Sequence, residues 1–332
     1  MSEGNACPRC TASAARGVSA LYDGVMASSE QRRRWLVTGG AGFLGANLGA
    51  FLNTHVDAIA VTRTGSVPRV FASSVAGDLA LPEELAATIR DLRPHVVVHS
   101  AAMASHEACE RDPASAELIN AKATGTLAKA SEEVGARFVY ISTDAVFDGQ
   151  RGHYSEDDSP NPTSVYGWTK LRGEQEAAQA TDALIIRTNF FGWSPSGSRS
   201  ILEFFVNELS AGRQVRGFTD FTTSSAYAQI LAEVIGALIA RQSAGIFHVT
   251  SPDALTKYEF GVAVAEEFDL DPTLISPTRA DIHPPRNGDI SLNVEKVQGA
   301  VGMTLLPQRE GIARARRDAP ALRDALREQA TS

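Results

Sequence analysis

No apolar run in this chain approaches the ~20 residues needed to span a bilayer, so a transmembrane helix is excluded. The N-terminus has no apolar stretch of signal-peptide length behind a basic region, which makes the cytoplasm the expected compartment. A basic excess is also missing. The formal net charge of -8 argues against a nucleic-acid partner, which usually meets a basic face. It does not exclude a small anionic substrate, because one local Arg or Lys can dominate a pocket. Cysteine is scarce: Cys7, Cys10 and Cys109 are the only three. Cys7-Pro-Arg-Cys10 has the spacing of half a zinc site or of a redox pair. No second ligand pair lies nearby, since the first histidine is His55, and no strand-turn-helix pattern surrounds it. No metal site is therefore expected, and the two thiols read as incidental.

What the chain does have is 332 residues, enough to bury a core as one large domain or two coupled ones. Residues 1–33 are rich in Ala, Ser, Gly and Arg without a sustained period and read as a disordered extension, within which Met26 is an alternative start. From Trp35 onward strand and helix signals alternate. Strands are expected at Trp35–Thr38, Val56–Thr62, His95–His99, Arg137–Ser142 and Ala183–Arg187. Helices are expected at Phe43–Asn53, Leu81–Leu92, Ala114–Val134 and Pro162–Ala180. Three consecutive valines at 96–98 suit a strand buried on both faces. Repeated βα units imply an α/β fold with a doubly wound parallel Rossmann sheet. After Asn189 the rhythm loosens into a Gly/Ser/Pro loop at Ser194–Ser200 and helices near Ile201–Leu209, Tyr227–Arg241 and Tyr258–Phe268. A strand at Gly245–Thr250 and a Pro-rich stretch from Pro277 to Pro285 complete this part. The expected division is a nucleotide-binding domain over 34–188, with 221–250 returning to it. A smaller C-terminal substrate-binding lobe takes 189–220 and 251–332.

Residues 36–45 read Leu-Val-Thr-Gly-Gly-Ala-Gly-Phe-Leu-Gly. Gly39, Gly42 and Gly45 follow a strand and open a helix, with Phe43 and Leu44 between the last two. The first glycine allows a tight turn, the second lets a pyrophosphate approach the backbone, and the third permits close helix–strand packing. The helix N-terminus then offers free amides to phosphates. An NAD-selective site usually carries an acid ~20 residues on. Here the second strand ends in Val61-Thr62-Arg63, 24 positions beyond Gly39, with a guanidinium instead. Arg63 can bind a 2′-phosphate, so NADP(H) is the expected cofactor with NAD(H) also admitted. The plainer reading of Arg63 is a solvated loop residue.

Tyr166 and Lys170 form Tyr-x-x-x-Lys, one helical turn apart on one face. A phenol beside an ammonium and a nicotinium ring is expected to fall from ~10 towards working pH and to give its proton to a carbonyl oxygen. A hydroxyl on the preceding strand completes the set. Thr143 is the first choice and Ser142 the alternative; either can instead simply cap a turn. Asn120 either orients water behind Lys170 as part of the cofactor site or caps a kink in its helix.

The Gly-x-x-Gly-x-x-Gly spacing resembles that of the short-chain dehydrogenase/reductase superfamily. Further on, Ile141-Ser142-Thr143-Asp144-Ala145-Val146-Phe147-Asp148-Gly149, Tyr154-Ser155-Glu156-Asp157 and Val165-Tyr166-Gly167 through Lys170-Leu171, Gly173-Glu174 resemble the dTDP-4-dehydrorhamnose reductase family of extended members. So do Ile186-Arg187-Thr188, Gly245-Ile246-Phe247-His248, and Arg286-Asn287 ahead of Ser291-Leu292-Asn293. The resemblance spans roughly residues 34–315. It implies NAD(P)H-dependent reduction of the 4-keto group of a nucleotide-linked 6-deoxyhexose, with Thr143, Tyr166 and Lys170 as the catalytic set. It also implies that Asp78 and Leu79, after Gly77, touch the adenine, and that Ser100, Ala101 and Ala102 lie against the cofactor. Asp144, Asn189, Arg286 and Asn287 would meet the substrate, with Arg286 at its diphosphate.

The chain departs from the family at Ala145, where Tyr is usual, and at Arg187-Thr188-Asn189-Phe190 in place of Arg-Thr-Ser-Trp. Rhamnose is thereby less secure as the product than the chemistry. Ala145 offers no acid for a 4,6-dehydratase. Asn189 fits a 4-epimerase, which Arg63 disfavours. A non-catalytic NADP-binding role also stands as an alternative, because the regulatory subunit of methionine adenosyltransferase resembles the same family. Composition leaves a homodimer open.

Overall fold

A computed structural model describes residues 33–63, 67–280 and 288–327. Residues 1–32, with Cys7 and Cys10, lie outside the described residues, as do Arg286 and Asn287. Strands β1 (Arg34–Thr38), β2 (Asp57–Thr62), β3 (Ser73–Ala76), β4 (Val96–His99), β5 (Arg137–Thr143) and β6 (Leu184–Thr188) form a parallel sheet ordered β3-β2-β1-β4-β5-β6. The strand Gly245–His248 pairs parallel with β6 and becomes the seventh, at the edge. This is the doubly wound order, reversing between β1 and β4.

The sequence forms this sheet because its strands are apolar on both faces. Val96 and Val98 pack on one side with Trp35, Val37, Ile141 and Ile186. Val97 packs on the other with Leu36, Phe138, Tyr140 and Ile185. Strand β3 is the exception. Ser-Ser-Val-Ala has no apolar run, and its pairing with β2 rather than its composition makes it a strand.

Other expected bounds shift for local reasons. The helix read as Pro162–Ala180 spans Val165–Ala177, because Ser164 is extended and its side chain accepts from Gly167 N. The helix read as Ala114–Val134 is not continuous. It runs Pro113–Glu117, widens into a π turn at Leu118–Lys122, and resumes as Ala123–Glu133. The strand read as Gly245–Thr250 stops at His248.

Beyond β6, short strands build a smaller body over the C-terminal ends of β5 and β6. Phe221–Thr223 pairs with Leu255–Thr256 and with Gly288–Asp289, and Val215–Phe218 pairs with Ile275–Thr278. The helix Ala228–Ala240 returns to pack on the helix Phe43–Leu52 of the nucleotide half. The C-terminal helix Gln308–Arg327, which the sequence reading did not anticipate, is tied down when Trp193 Nε1 donates to Ala315 O at 2.8 Å. Among the described residues no helix is long and apolar enough to cross a membrane.

Candidate active site

The glycine turn is built as a cradle. Gly39 has φ +71°, a left-handed conformation that suits glycine, and its N–H and that of Gly40 donate to Val61 O. A Cβ on Gly45 would sit 2.2 Å from Gly39 O, so the third glycine lets the helix close onto the turn itself. The helix Phe43–Leu52 begins at Gly42, which has no side chain to cap it, and no acid occupies its first turn. Its free amides therefore suit an anion.

Phe43 and Leu44 line a cleft of about 440 Å³ together with Ser100, Ala102, Thr143, Asp144, Tyr166, Lys170 and Asn189. The two features that the sequence separates by more than a hundred residues thus share one hollow. A second hollow of about 420 Å³ at the sheet edge, lined by Leu171, Ile185 and Ile246 among others, contains none of Thr143, Tyr166 and Lys170.

Thr143 ends β5. Its hydroxyl donates to Asp144 Oδ1 at 3.0 Å and accepts from Ala145 N, and it lines the cleft beside Tyr166. Ser142 points elsewhere: its hydroxyl donates to Glu174 Oε1 at 2.5 Å. Lys170 is buried, donates to Ile141 O at 2.6 Å and lies 3.9 Å from the Tyr140 ring centroid. Burial pushes its ammonium down to about 7, against the Glu174 carboxylate, which pulls it up. The Tyr166 phenol departs from expectation. Burial holds it above its ordinary value, the nearby Thr143 hydroxyl only partly offsets this, and the Asp144 carboxylate adds to it. Burial thus works against the positive charge that the residue type of Lys170 promises.

Asp144 is buried, and its carboxyl is raised by that burial, while donors from Asn189 (2.8 Å), Thr223 (2.9 Å) and Thr143 and the charge of Lys257 pull it back. Asn189 is held in turn by Ser225, which donates to its Oδ1. Asn120 sits in the π turn, buried behind the cleft. It pins Met103 from both sides, accepting from Met103 N at 2.8 Å and donating to Met103 O at 3.1 Å, and so fixes the loop that follows β4. Ser100 donates to Thr38 O, and Ala101 N donates to Thr38 Oγ1. Arg63 is exposed just past β2, beside the turn. Asp78 is exposed and its carboxylate accepts from Ala80 N, while Leu79 packs partly buried against the core.

Four residues emerge that the sequence reading did not single out. His106, Arg199 and Lys257 line the cleft, and no spacing marks them. Glu174, one turn beyond Lys170 on the same face, makes a buried ion pair with Arg187 at 2.8 Å. The i, i+4 spacing was the available signal. Among the described residues no cluster of His, Cys, Asp and Glu could hold a metal.

A Rossmann sheet whose phosphate turn and Tyr/Lys pair open on one cleft defines an extended short-chain dehydrogenase/reductase. More closely, the chain belongs to the family described as the RmlD substrate binding domain, matched over residues 33–319. A probable low-salt glycan biosynthesis reductase of Haloferax volcanii is 31% identical over 274 residues, covering 80% of this chain and 91% of the relative. The methionine adenosyltransferase 2 subunit beta of Danio rerio is likewise 31% identical over 274 residues, covering 78% of this chain and 82% of that one. A dTDP-4-dehydrorhamnose reductase of Bacillus anthracis, solved in complex with NADP, superposes with a TM-score of 0.77 at 23% identity, over 86% of this chain and 99% of that one.

Proposed function

We propose that this chain reduces the 4-keto group of a dTDP-linked 6-deoxysugar with NADPH, and that Tyr166 donates the proton. The observation that carries this reading is the single cleft shared by Phe43, Leu44, Thr143, Tyr166 and Lys170. The coenzyme supplies the hydride when bound. The amides at Phe43 and Leu44 would hold its diphosphate, Arg63 would meet a 2′-phosphate, and Ser100, Ala101 and Ala102 would lie against its middle. Thr143 and Tyr166 hold the keto oxygen. The phenol proton passes to that oxygen as the carbon is reduced, leaving a phenolate near Lys170. Asp144 and Asn189 border the sugar.

The test is a panel of 4-keto sugar nucleotides assayed by NADPH absorbance, with NADH in parallel. Turnover faster with NADPH than with NADH is expected. Tyr166→Phe should lower kcat by roughly 10²–10⁴-fold with NADPH affinity nearly unchanged. Equal rates for the variant would defeat the proton-donor role. NADPH binding without turnover of any keto sugar would instead favour a non-catalytic subunit, a reading kept in view by the likeness to the methionine adenosyltransferase subunit.

A further inference from the structure

The imidazole of His106 lies against the phenol of Tyr166, with ring centroids 4.6 Å apart and planes inclined by 49°. It also lines the cleft. The short helix that carries the ring is anchored on both sides. Ser105 caps that helix at Ala108 N, Cys109 Sγ donates to Met103 O, and Glu110 accepts from Val165 N at the start of the Tyr166 helix. The ionisable groups around the cleft are Lys170 on the Tyr166 helix, Asp144 beyond β5, Arg199 and Lys257 from the smaller body, and Glu107, Cys109, Glu110 and Arg111 on the His106 helix. Burial, and then the Asp144 carboxylate, oppose ionisation of the phenol. Lys170 is buried, which disfavours its charged form, while Ile141 O accepts from it and the Tyr140 ring lies beneath it. The imidazole is the ionisable ring in direct contact with the phenol that is to lose its proton.

We infer that His106 is a positioning residue for Tyr166: its ring fixes the phenol's orientation, and its protonated form stabilises the phenolate left when the proton goes to substrate. This rests on the reading of Tyr166 as proton donor. No bond forms to His106, and the tyrosine proton is the one transferred. An imidazolium beside the ring lowers the phenol's resistance to ionisation by charge proximity. Reduction should then accelerate as the imidazole protonates.

Two variants separate packing from charge. His106→Phe keeps a ring of similar size, and His106→Ala removes both. In the wild type, log kcat should rise with falling pH through an imidazole ionisation. His106→Phe should lack that rise and fall about tenfold below wild type on the acid side, the equivalent of one pKa unit. The two should converge at high pH, where the imidazole is neutral, and any rise left in the variant belongs to Lys170. His106→Ala should lose rate at every pH. Superimposable profiles for wild type and His106→Phe would overturn the inference.

A second measurement needs no turnover, so failure of the reductase reading can be told apart. Histidine proton NMR, with the His106 signal assigned by its loss in His106→Phe, follows the imidazole titration. Coupling is reciprocal. A carboxylate in Tyr166→Glu, standing in for phenolate, should therefore raise the His106 pKa relative to Tyr166→Phe. An unmoved titration would also overturn it.

Discussion

Lys170 shows how one residue can be readable in kind and unreadable in state. Its spacing from Tyr166 is printed in the sequence, but its near-neutral pKa comes from burial, which no local pattern encodes. That state has a measurable consequence for stability. In the unfolded chain the group titrates at its ordinary value, whereas in the fold it titrates at about 7. Between about pH 7 and about 10.5 the unfolded state binds the extra proton, so the fold gains stability as pH rises across this window. Below the window both states are protonated and the contribution is flat. Lys170→Met should remove that slope in urea unfolding of the coenzyme-free protein. A wild-type and variant pair with parallel pH profiles would place Lys170 in a wetter site. Tyr166 teaches the same lesson in the opposite direction. Its position was legible, but its raised pKa follows first from burial and then from the Asp144 carboxylate, both of which reach it only through the fold.

The helix Val165–Ala177 carries most of the chemistry, and its neighbours explain why. A Cβ at Gly173 would meet Tyr140 Oη at 2.1 Å and Asn120 O at 2.4 Å, so only a glycine lets this helix lie against both β5 and the π turn. One residue later Glu174 receives three hydrogen bonds from Arg187 and one from Ser142. Removing one charge from such a pair leaves the other buried and uncompensated. Glu174→Gln should therefore cost about 3–5 kcal/mol of unfolding free energy by urea titration. It should also lower the Lys170 pKa further, because Glu174 is the group that raises it. A loss below about 1 kcal/mol would mean that Arg187 finds water. The strands and this helix were legible because their apolar patterns are strong. The ion pair was not, because its partners sit thirteen positions apart on different elements and meet only when β6 lies beside β5.

At the scale of the whole chain the cleft exists because two bodies meet at Asp144. That residue belongs to the nucleotide half, while Asn189 and Thr223 come from the segments beyond β6. Thr223→Val keeps the shape but deletes one donor, and a lost hydrogen bond to a charged group costs about 1.5–3 kcal/mol. The variant should raise KM for the sugar nucleotide in steady-state kinetics while leaving the Kd for NADPH nearly unchanged. A change confined to NADPH would move Asp144 to the coenzyme side. The nucleotide half was legible almost strand by strand, since parallel buried strands advertise themselves. The smaller body was not, because its two- to four-residue strands, such as Leu255–Thr256, carry no period and are defined by what they pair with. The same limit hid the π turn within a helix that looks regular by composition. Because each helical residue advances the chain by ~100° of rotation, excising a single residue from Leu118–Lys122 would straighten the coil and swing the Asn120 amide off Met103. The loop leading into the His106 helix would then lose its anchor, so a deletion touching no cleft residue would loosen the whole wall facing Tyr166.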